Sequence, residues 1–322
     1  MSEFDLIRRH FTRATPGAVL GVGDDAALLR PTPGMALAVS TDMLVAGTHF
    51  FADADPRMLG HKVLAVNLSD MAAMGAQPRW ATLAAALPQA DEDWLREFSA
   101  GFFALAERHG LELVGGDTTR GPLNFCLTIM GEVPQGQSLL RSGAQAGDDL
   151  WVSGTLGGAA LALAHLQGRL QLTESGFAAC AQQLHRPEPR VALGLALRGV
   201  ASSAIDISDG LLADLGHILE RSGVSARVDF DALPLAPALR ELGDQALCRH
   251  CAQAGGDDYE LCFTAPEARG DDILRISQRL DLPLTRIGTI VAATSETGSG
   301  CSVSTQDGRA IDLGESGYDH FA

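Results

Sequence analysis

Leu111-Glu-Leu-Val-Gly-Gly-Asp-Thr-Thr-Arg-Gly121 holds in eleven residues the pattern on which the chain is built. An apolar run with strand character, residues 111–114, leads into two glycines and a carboxylate, followed by Arg120. Consecutive backbone N–H groups in a glycine turn form a nest for an anion. The loop is therefore expected to hold a phosphate and its metal together, with a plain surface turn as the alternative. The same grammar recurs at Gly21-Val-Gly-Asp-Asp25, Ser40-Thr-Asp42, Asn67-Leu-Ser-Asp70, Asp206-Ile-Ser-Asp209 and Gly255-Gly-Asp-Asp258. Most of these follow an apolar run, where a strand would give way to a loop. Strands and helices mixed in this way predict two α/β or α+β domains.

Working outward, residues 35–40 read as a strand that delivers Thr41 and Asp42 to its end. Residues 56–74 read as a helix with Pro in its first turn and Gly75 beyond its end. Residues 91–109 read as a second helix, with Asp91 as N-cap and Gly110 as stop. Residues 124–133 form a further strand, and the polar, glycine-bearing stretch 134–147 marks a domain boundary, giving domains 1–137 and 138–322. The second half restarts with a strand at 149–153 and a helix at 157–167. A strand at 203–207 then leads into a helix at 211–222, with later strands at 226–230, 261–264, 284–291 and 301–305. Asp117 lies 47 positions after Asp70, and Asp257 lies 48 after Asp209, an echo that is either a duplication or chance.

Composition narrows the chemistry. The 322 residues suffice for two cores, and 46% apolar with 20% charged residues describes a folded globular chain. A net charge of −16 excludes a basic nucleic-acid footprint. Lys62 is the only lysine and follows His61 rather than Gly, so neither a Walker-type phosphate loop nor a protein-kinase lysine arrangement is available. The six cysteines follow no framework spacing, and the lone Cys248-Arg-His-Cys251 reads as reduced thiols before it reads as zinc or redox chemistry. Residues 1–12 are charged and amphipathic, and no apolar run approaches a membrane span, which predicts a cytoplasmic protein with no membrane or nucleic-acid partner.

The acidic loops carry the functional reading. Two carboxylates about 4 Å apart at an effective dielectric of about 20 repel by roughly 4 kcal/mol. A site built from such loops needs divalent cations, and Mg²⁺ characteristically bridges carboxylates to substrate phosphates. Metal-assisted phosphoryl chemistry is thus the expected class. Asp70 is the sharpest single signal, because it interrupts the apolar stretch 63–74 where a bare carboxylate is costly. The others have plain alternatives: a turn at Asp25, a turn or cap at residues 40–42, a helix cap at Asp209, and ordinary surface roles for Arg141 and His49.

Together the segments resemble the thiamine-monophosphate kinase family, within the aminoimidazole ribonucleotide synthetase-like ATP-binding enzymes. The resemblance runs nearly end to end through Ser40-Thr-Asp-Met-Leu-Val-Ala-Gly-Thr-His-Phe50, Lys62-Val-Leu-Ala-Val-Asn-Leu-Ser-Asp70, Gly115-Gly-Asp-Thr-Thr-Arg-Gly121, Arg141-Ser-Gly-Ala144, Ala204-Ile-Asp-Ile-Ser-Asp-Gly-Leu211, Gly255-Gly-Asp-Asp-Tyr-Glu-Leu261 and Gly317-Tyr-Asp-His-Phe321. It implies a two-domain synthetase-like fold, with an N-terminal mixed sheet forming a dimeric barrel and a C-terminal α/β domain. It further implies a homodimer with ATP at that interface, and direct transfer of the ATP γ-phosphoryl group to thiamine monophosphate with several Mg²⁺ ions and no side-chain nucleophile. Carried over by position, the Mg²⁺ ligands are Asp25, Ser40, Thr41, Asp42, Asp70, Asp117, Asp206 and Asp209. The nucleotide contacts are Gly116, Asp117, Arg141 and Ser208, and the substrate contacts are His49, Asp257 and Tyr318. Asp257 departs from the Glu expected there, so its contact with the thiazolium is a methylene shorter. The competing readings are a sister enzyme such as selenophosphate synthetase, a Mg²⁺-dependent phosphohydrolase, and a non-catalytic nucleotide-binding regulator.

Overall fold

The apolar stretch around Asp70 becomes a helix enclosed on nearly every side. In the computed structural model, which describes residues 3–293, 299–311 and Gly317, this helix is α2 (Pro56–Ala73), preceded by α1 (Glu3–Leu6) and a π-helical turn over Ile7–Phe11. The chain divides into one unit of Met1–Met71 and Ala76–Gly136 and another of Ala72–Gly75 and Gln137–Ala322.

In the first unit, strands β1 (Met35–Val45), β2 (Gln77–Leu87), β3 (Glu112–Arg120) and β4 (Asn124–Pro134) form a sheet in the order β1-β4-β2-β3. β4 runs antiparallel to β1 and β2, while β2 and β3 are parallel. A parallel neighbour needs a crossover, and α3 (Glu92–His109) supplies it. Asp91 caps α3 by accepting from the N–H groups of Asp93 and Trp94, and Gly110 ends it at φ 62°, as the sequence signals predict. Helix and sheet meet through stacked rings, Trp94 on Phe98 at 5.3 Å and Phe98 on Phe125 at 4.5 Å.

Two strands are longer than the sequence reading expects. β1 continues past Ser40 to Val45, because every residue from Met35 onward finds a partner on β4 as far as Asn124. Residues 40–42 therefore lie in mid-strand. Likewise residues 115–117 are not a loop. β3 skips Val114 in its pairing with β2, from Ala81↔Leu113 to Thr82↔Gly115, and then pairs through to Arg120. Gly116, at φ 150°, permits this, since a Cβ there would stand 1.9 Å from the Leu83 carbonyl oxygen. The strand β2 escapes the sequence reading altogether.

The second unit carries strands β5 (Asp148–Ser153), β6 (Ser203–Asp206), β7 (Val224–Asp229), β8 (Leu261–Pro266), β9 (Leu284–Ala292) and β10 (Cys301–Ser304) in one sheet, order β10-β7-β9-β5-β8-β6. Its helices are α4 (Gly158–Leu166), α5 (Glu174–His185), α6 (Val191–Leu197), α7 (Leu211–Ser222), α8 (Pro237–Glu241), α9 (Gln245–Ala254) and α10 (Gly270–Leu280). Leu211, Leu215 and Ile218 of α7 share one core with Ile205, Ile287 and Ile290, while α4, α5, α8 and α9 enclose a second. Cys180, Cys248 and Cys251 are buried, free thiols of that second core. Burial pushes the Cys251 thiol up to about 12, so it is held protonated and unreactive. No helix among the described residues is long and apolar enough to cross a membrane.

Helices α2 and α3 touch backbone to backbone through glycines. A Cβ on Gly101 would lie 1.9 Å from the Arg57 carbonyl oxygen, and one on Gly60 would lie 2.0 Å from that of Phe98. Gly101→Ala is expected to destabilise the first unit by about 2–3 kcal/mol through forced separation of the helices. Urea unfolding followed by tryptophan fluorescence measures this, and a loss below about 0.5 kcal/mol would show that the crossing is not tight.

Candidate functional site

The sequence-identified side chains fall into two groups in the first unit. Pairing in β1 alternates its side chains, so Ser40 and Asp42 face α2 and Thr41 faces the other way. The Ser40 hydroxyl donates to Asp70 Oδ2, and the Asp42 N–H donates to Asn67 Oδ1 at 3.3 Å. Asn67 is itself fixed by donating to the Val63 carbonyl at 3.0 Å. Thr41 instead meets Thr128 across the strands, hydroxyl to hydroxyl at 2.8 Å. The period of two thus separates Thr41 from the carboxylates that the sequence groups it with. His49, just beyond β1, accepts from the Val45 N–H through Nδ1 at 3.0 Å.

The second group surrounds a cavity of about 790 Å³. Asp24 and Asp25, Gly115, Gly116 and Asp117 of β3, and Thr82 and Ala85 of β2 line it. The loop is locally self-braced, the Asp25 N–H donating to Asp24 Oδ1 at 2.9 Å. Phe11 and Val114 add apolar surface to the same lining, giving a concavity with both hydrophobic surface and carboxylates.

The second unit gathers Asp206, Ser208, Asp209 and Asp257. Asp206 ends β6 opposite Leu261 of β8, so the loops flanking these paired strands lie side by side. Backbone bonds tie them: Asp257 N–H to Ser208 O at 2.9 Å, Tyr259 N–H to Ile207 O at 2.8 Å, and Ile207 N–H to Glu260 O at 2.8 Å. Asp257 and Tyr259 adopt φ of 69° and 50°, left-handed conformations that cost side-chain-bearing residues about 1–3 kcal/mol each. The approach needs small residues, since a Cβ on Gly256 would lie 2.6 Å from the Ser208 carbonyl oxygen. Gly317 also belongs here: a Cβ on it would be 2.6 Å from Ala213 and 2.9 Å from the Asp209 carbonyl oxygen. Tyr318 lies outside the described residues. Arg141 is held by its main chain away from this group. Its carbonyl accepts from Ser222, at the far end of α7 from Asp209 and about 18 Å along the helix.

Sequence reading misses the residue that shapes the loop. Asp209 is not the cap of α7; Gly210 is, without a side-chain bond. Asp214, one turn into the helix, turns back and its Oδ2 accepts from the N–H groups of Ser208, Asp209 and Gly210 at 3.0, 3.1 and 3.2 Å. Burial pushes its carboxyl up to about 8, and the nearby Asp206 and Asp209 charges push the same way. An acid in the first turn of a helix is the only sequence signal for this role. All the assembled donors are oxygens, the ligand type of Mg²⁺. Among the described residues, no three His, Cys, Asp or Glu side chains yet converge as a ready cation cage.

The chain matches the AIR synthase related protein N-terminal domain over residues 23–133 and the corresponding C-terminal domain over residues 145–300. It is 49% identical to a thiamine-monophosphate kinase of Salmonella typhimurium, over 99% of this chain and 98% of that one. Among solved structures, a thiamine-monophosphate kinase from Stenotrophomonas maltophilia K279a superposes with a TM-score of 0.84 at 50% identity, covering 96% of each chain. AaThiL complexed with AMPPCP and TMP superposes with a TM-score of 0.78 at 29% identity, covering 91% of this chain and 89% of that one.

Removing the Asp214 carboxylate would leave three loop N–H groups without their acceptor. Asp214→Ala is expected to lower the unfolding free energy by at least about 2 kcal/mol. Asp214→Asn, which keeps an acceptor, is expected to retain most of it. Equal stability of the alanine variant and the unmodified protein in urea titration would remove Asp214 as the loop's anchor.

Proposed function

The chain belongs to the thiamine-monophosphate kinases of the AIR synthase related family, and on that premise we propose that it transfers the γ-phosphoryl group of ATP directly to the phosphate of thiamine monophosphate. The supporting observation is its full-length likeness to a solved relative that holds AMPPCP, an ATP analogue, together with TMP. The products are thiamine diphosphate and ADP.

The acceptor oxygen is already anionic, so no side-chain base or nucleophile is required; the difficulty is bringing two polyanions together in line. Bound Mg²⁺ would supply that neutralisation, bridging phosphate oxygens to protein carboxylates. We assign Asp25, Ser40, Asp42, Asp70 and Asp117 of the first unit and Asp206 and Asp209 of the second as Mg²⁺ ligands; Thr41, whose hydroxyl meets Thr128 instead, would serve only through its main-chain carbonyl. Gly116, Asp117, Arg141 and Ser208 are assigned to the nucleotide, and His49, Asp257 and Tyr318 to the thiamine substrate. The cavity bounded by Asp25, Gly116 and Asp117 favours a phosphate-bearing occupant whose charge is met by metal, since among the described residues no lysine or arginine lines it.

The same reading includes a homodimer in the cytoplasm. β1 is an edge strand, and Leu37, Val39 and Met43 project from one face of it at 42%, 57% and 55% exposure. An edge that presents apolar side chains beside unpaired backbone groups is a template for a second strand. A second copy of the same sheet is the occupant proposed here.

Three experiments test these statements. In a coupled assay with Mg-ATP, thiamine diphosphate should form in step with ADP, and only when thiamine monophosphate is present. Free phosphate without acceptor dependence would indicate a hydrolase instead. Asp70→Asn should lower kcat by about 100-fold or more, and a near-normal kcat would remove Asp70 from the metal site. Separately, Val39→Lys combined with Met43→Glu should halve the mass measured by light scattering during gel filtration. An unchanged mass would place the interface elsewhere or exclude it.

A further inference from the structure

Residues 257–260 alternate between the site and the interior. Asp257 and Tyr259 are half-buried, while Asp258 and Glu260 are 8% and 3% exposed. Each buried carboxylate is anchored to a different element. Both oxygens of Asp258 accept from the Gly157 N–H, at 3.1 and 2.9 Å, at the N-terminus of α4. Glu260 accepts the guanidinium fork of Arg190, Nε at 2.7 Å and Nη2 alongside it. Glu260 also accepts from Ser153 of β5, whose hydroxyl in turn accepts from the Leu261 N–H at 2.9 Å. The pocket around it leaves no slack, because a Cβ on Gly154 would stand 1.9 Å from Glu260 Oε1. None of Ser153, Arg190, Asp258 and Glu260 belongs to the residues assigned above to metal, nucleotide or substrate.

A forked, buried ion pair defines distance and direction at once, which a single hydrogen bond does not. Here it acts on a segment with two left-handed residues, a backbone that does not hold its shape unaided. With Asp258 and Glu260 pinned, the Asp257 N–H reaches the Ser208 carbonyl at 2.9 Å, which ties the main chain of Asp257 to the loop that carries Ser208. The geometry points to Glu260 with Arg190, assisted by Asp258 bonded to the N-terminus of α4, as positioning residues that set Asp257 for the thiamine substrate. This rests on the proposed kinase activity and on Asp257 as a contact of the thiamine moiety. It predicts a defect on the thiamine side, because Ser208, the nucleotide contact bonded to this segment, is held independently by Asp214 through its own N–H at 3.0 Å.

The test compares Arg190→Lys, Glu260→Gln and Asp257→Ala with the double variant Asp257→Ala/Glu260→Gln. Arg190→Lys keeps the charge but loses the fork. It should raise KM for thiamine monophosphate about tenfold, as misplacement on the order of 1 Å costs up to about 100-fold, with KM for ATP within about twofold. The double variant should be no worse than Asp257→Ala, since Glu260 acts through Asp257. Should Glu260→Gln not fold, Arg190→Lys and Asp258→Asn, checked by circular dichroism, carry the same comparison. A lower Tm with both KM values unchanged, or independent additive losses in the double variant, overturns the inference while leaving the kinase intact. Unmodified protein that forms no thiamine diphosphate overturns the activity itself, and the inference with it.

Discussion

A carboxylate taken out of water must have its lone pairs filled, and the second unit is arranged around three that are. Asp214 collects the N–H groups of one loop, Asp258 meets the start of α4, and Glu260 meets the Arg190 fork. Each lies within a few residues of an acid assigned to chemistry: Asp206 and Asp209 in one case, Asp257 in the other. Removing any buried partner would strand polar groups at a cost of about 1–3 kcal/mol apiece. The loops that carry the assigned acids are thereby braced by a second set of acids whose hydrogen bonds are made to the protein's own backbone and to Arg190.

That division explains why a protein of net charge −16 can serve two polyanionic substrates. Negative protein and negative substrates repel unless cations stand between them, and a single lysine on the buried face of α2 does not supply the charge. The first unit solves half of this geometrically. Gly116 and its neighbours bring a strand, not a turn, to the cavity that the Asp25 loop also lines, so backbone and carboxylates face one cavity with no basic side chain among the described residues lining it. A Cβ at Gly116 would collide with β2, which ties the cavity's shape to the pairing of the sheet.

Much of the fold was legible where a signal is local. The Asp91 cap and Gly110 stop bound α3, and Pro56 begins α2, because these residues act within one helical turn. Strand ends were read short at Ser40 and Val114, since glycines and polar residues resemble loops until a long partner strand is known. β2 was passed over because Trp80-Ala-Thr-Leu-Ala-Ala-Ala-Leu87 is rich in helix-favouring alanine; pairing on both sides, not propensity, makes it a strand. The echo between Asp70 and Asp209 does not carry into local structure. Asp70 lies deep within α2, whereas Asp209 precedes α7, and Gly116 is in a strand while Gly256 precedes one. Asp214 and the Arg190–Glu260 pair were invisible for another reason. Their partners are backbone groups or residues 70 positions away, and no spacing rule relates them.

The shorter carboxylate at 257 is best understood through the backbone beneath it. A Glu has an extra methylene with which to find a cation, and its reach tolerates some slack in the main chain. Asp257 has only one methylene, so where its oxygens stand is decided by φ and ψ, here in a left-handed conformation that the residue would not choose in isolation. Such a conformation persists only when its surroundings over-determine it. The paired anchors at Asp258 and Glu260, together with the Ser208 hydrogen bond, do so from both sides. On the proposed reading of Asp257 as a substrate contact, it is the rigidity of this backbone that sets where the short carboxylate can reach.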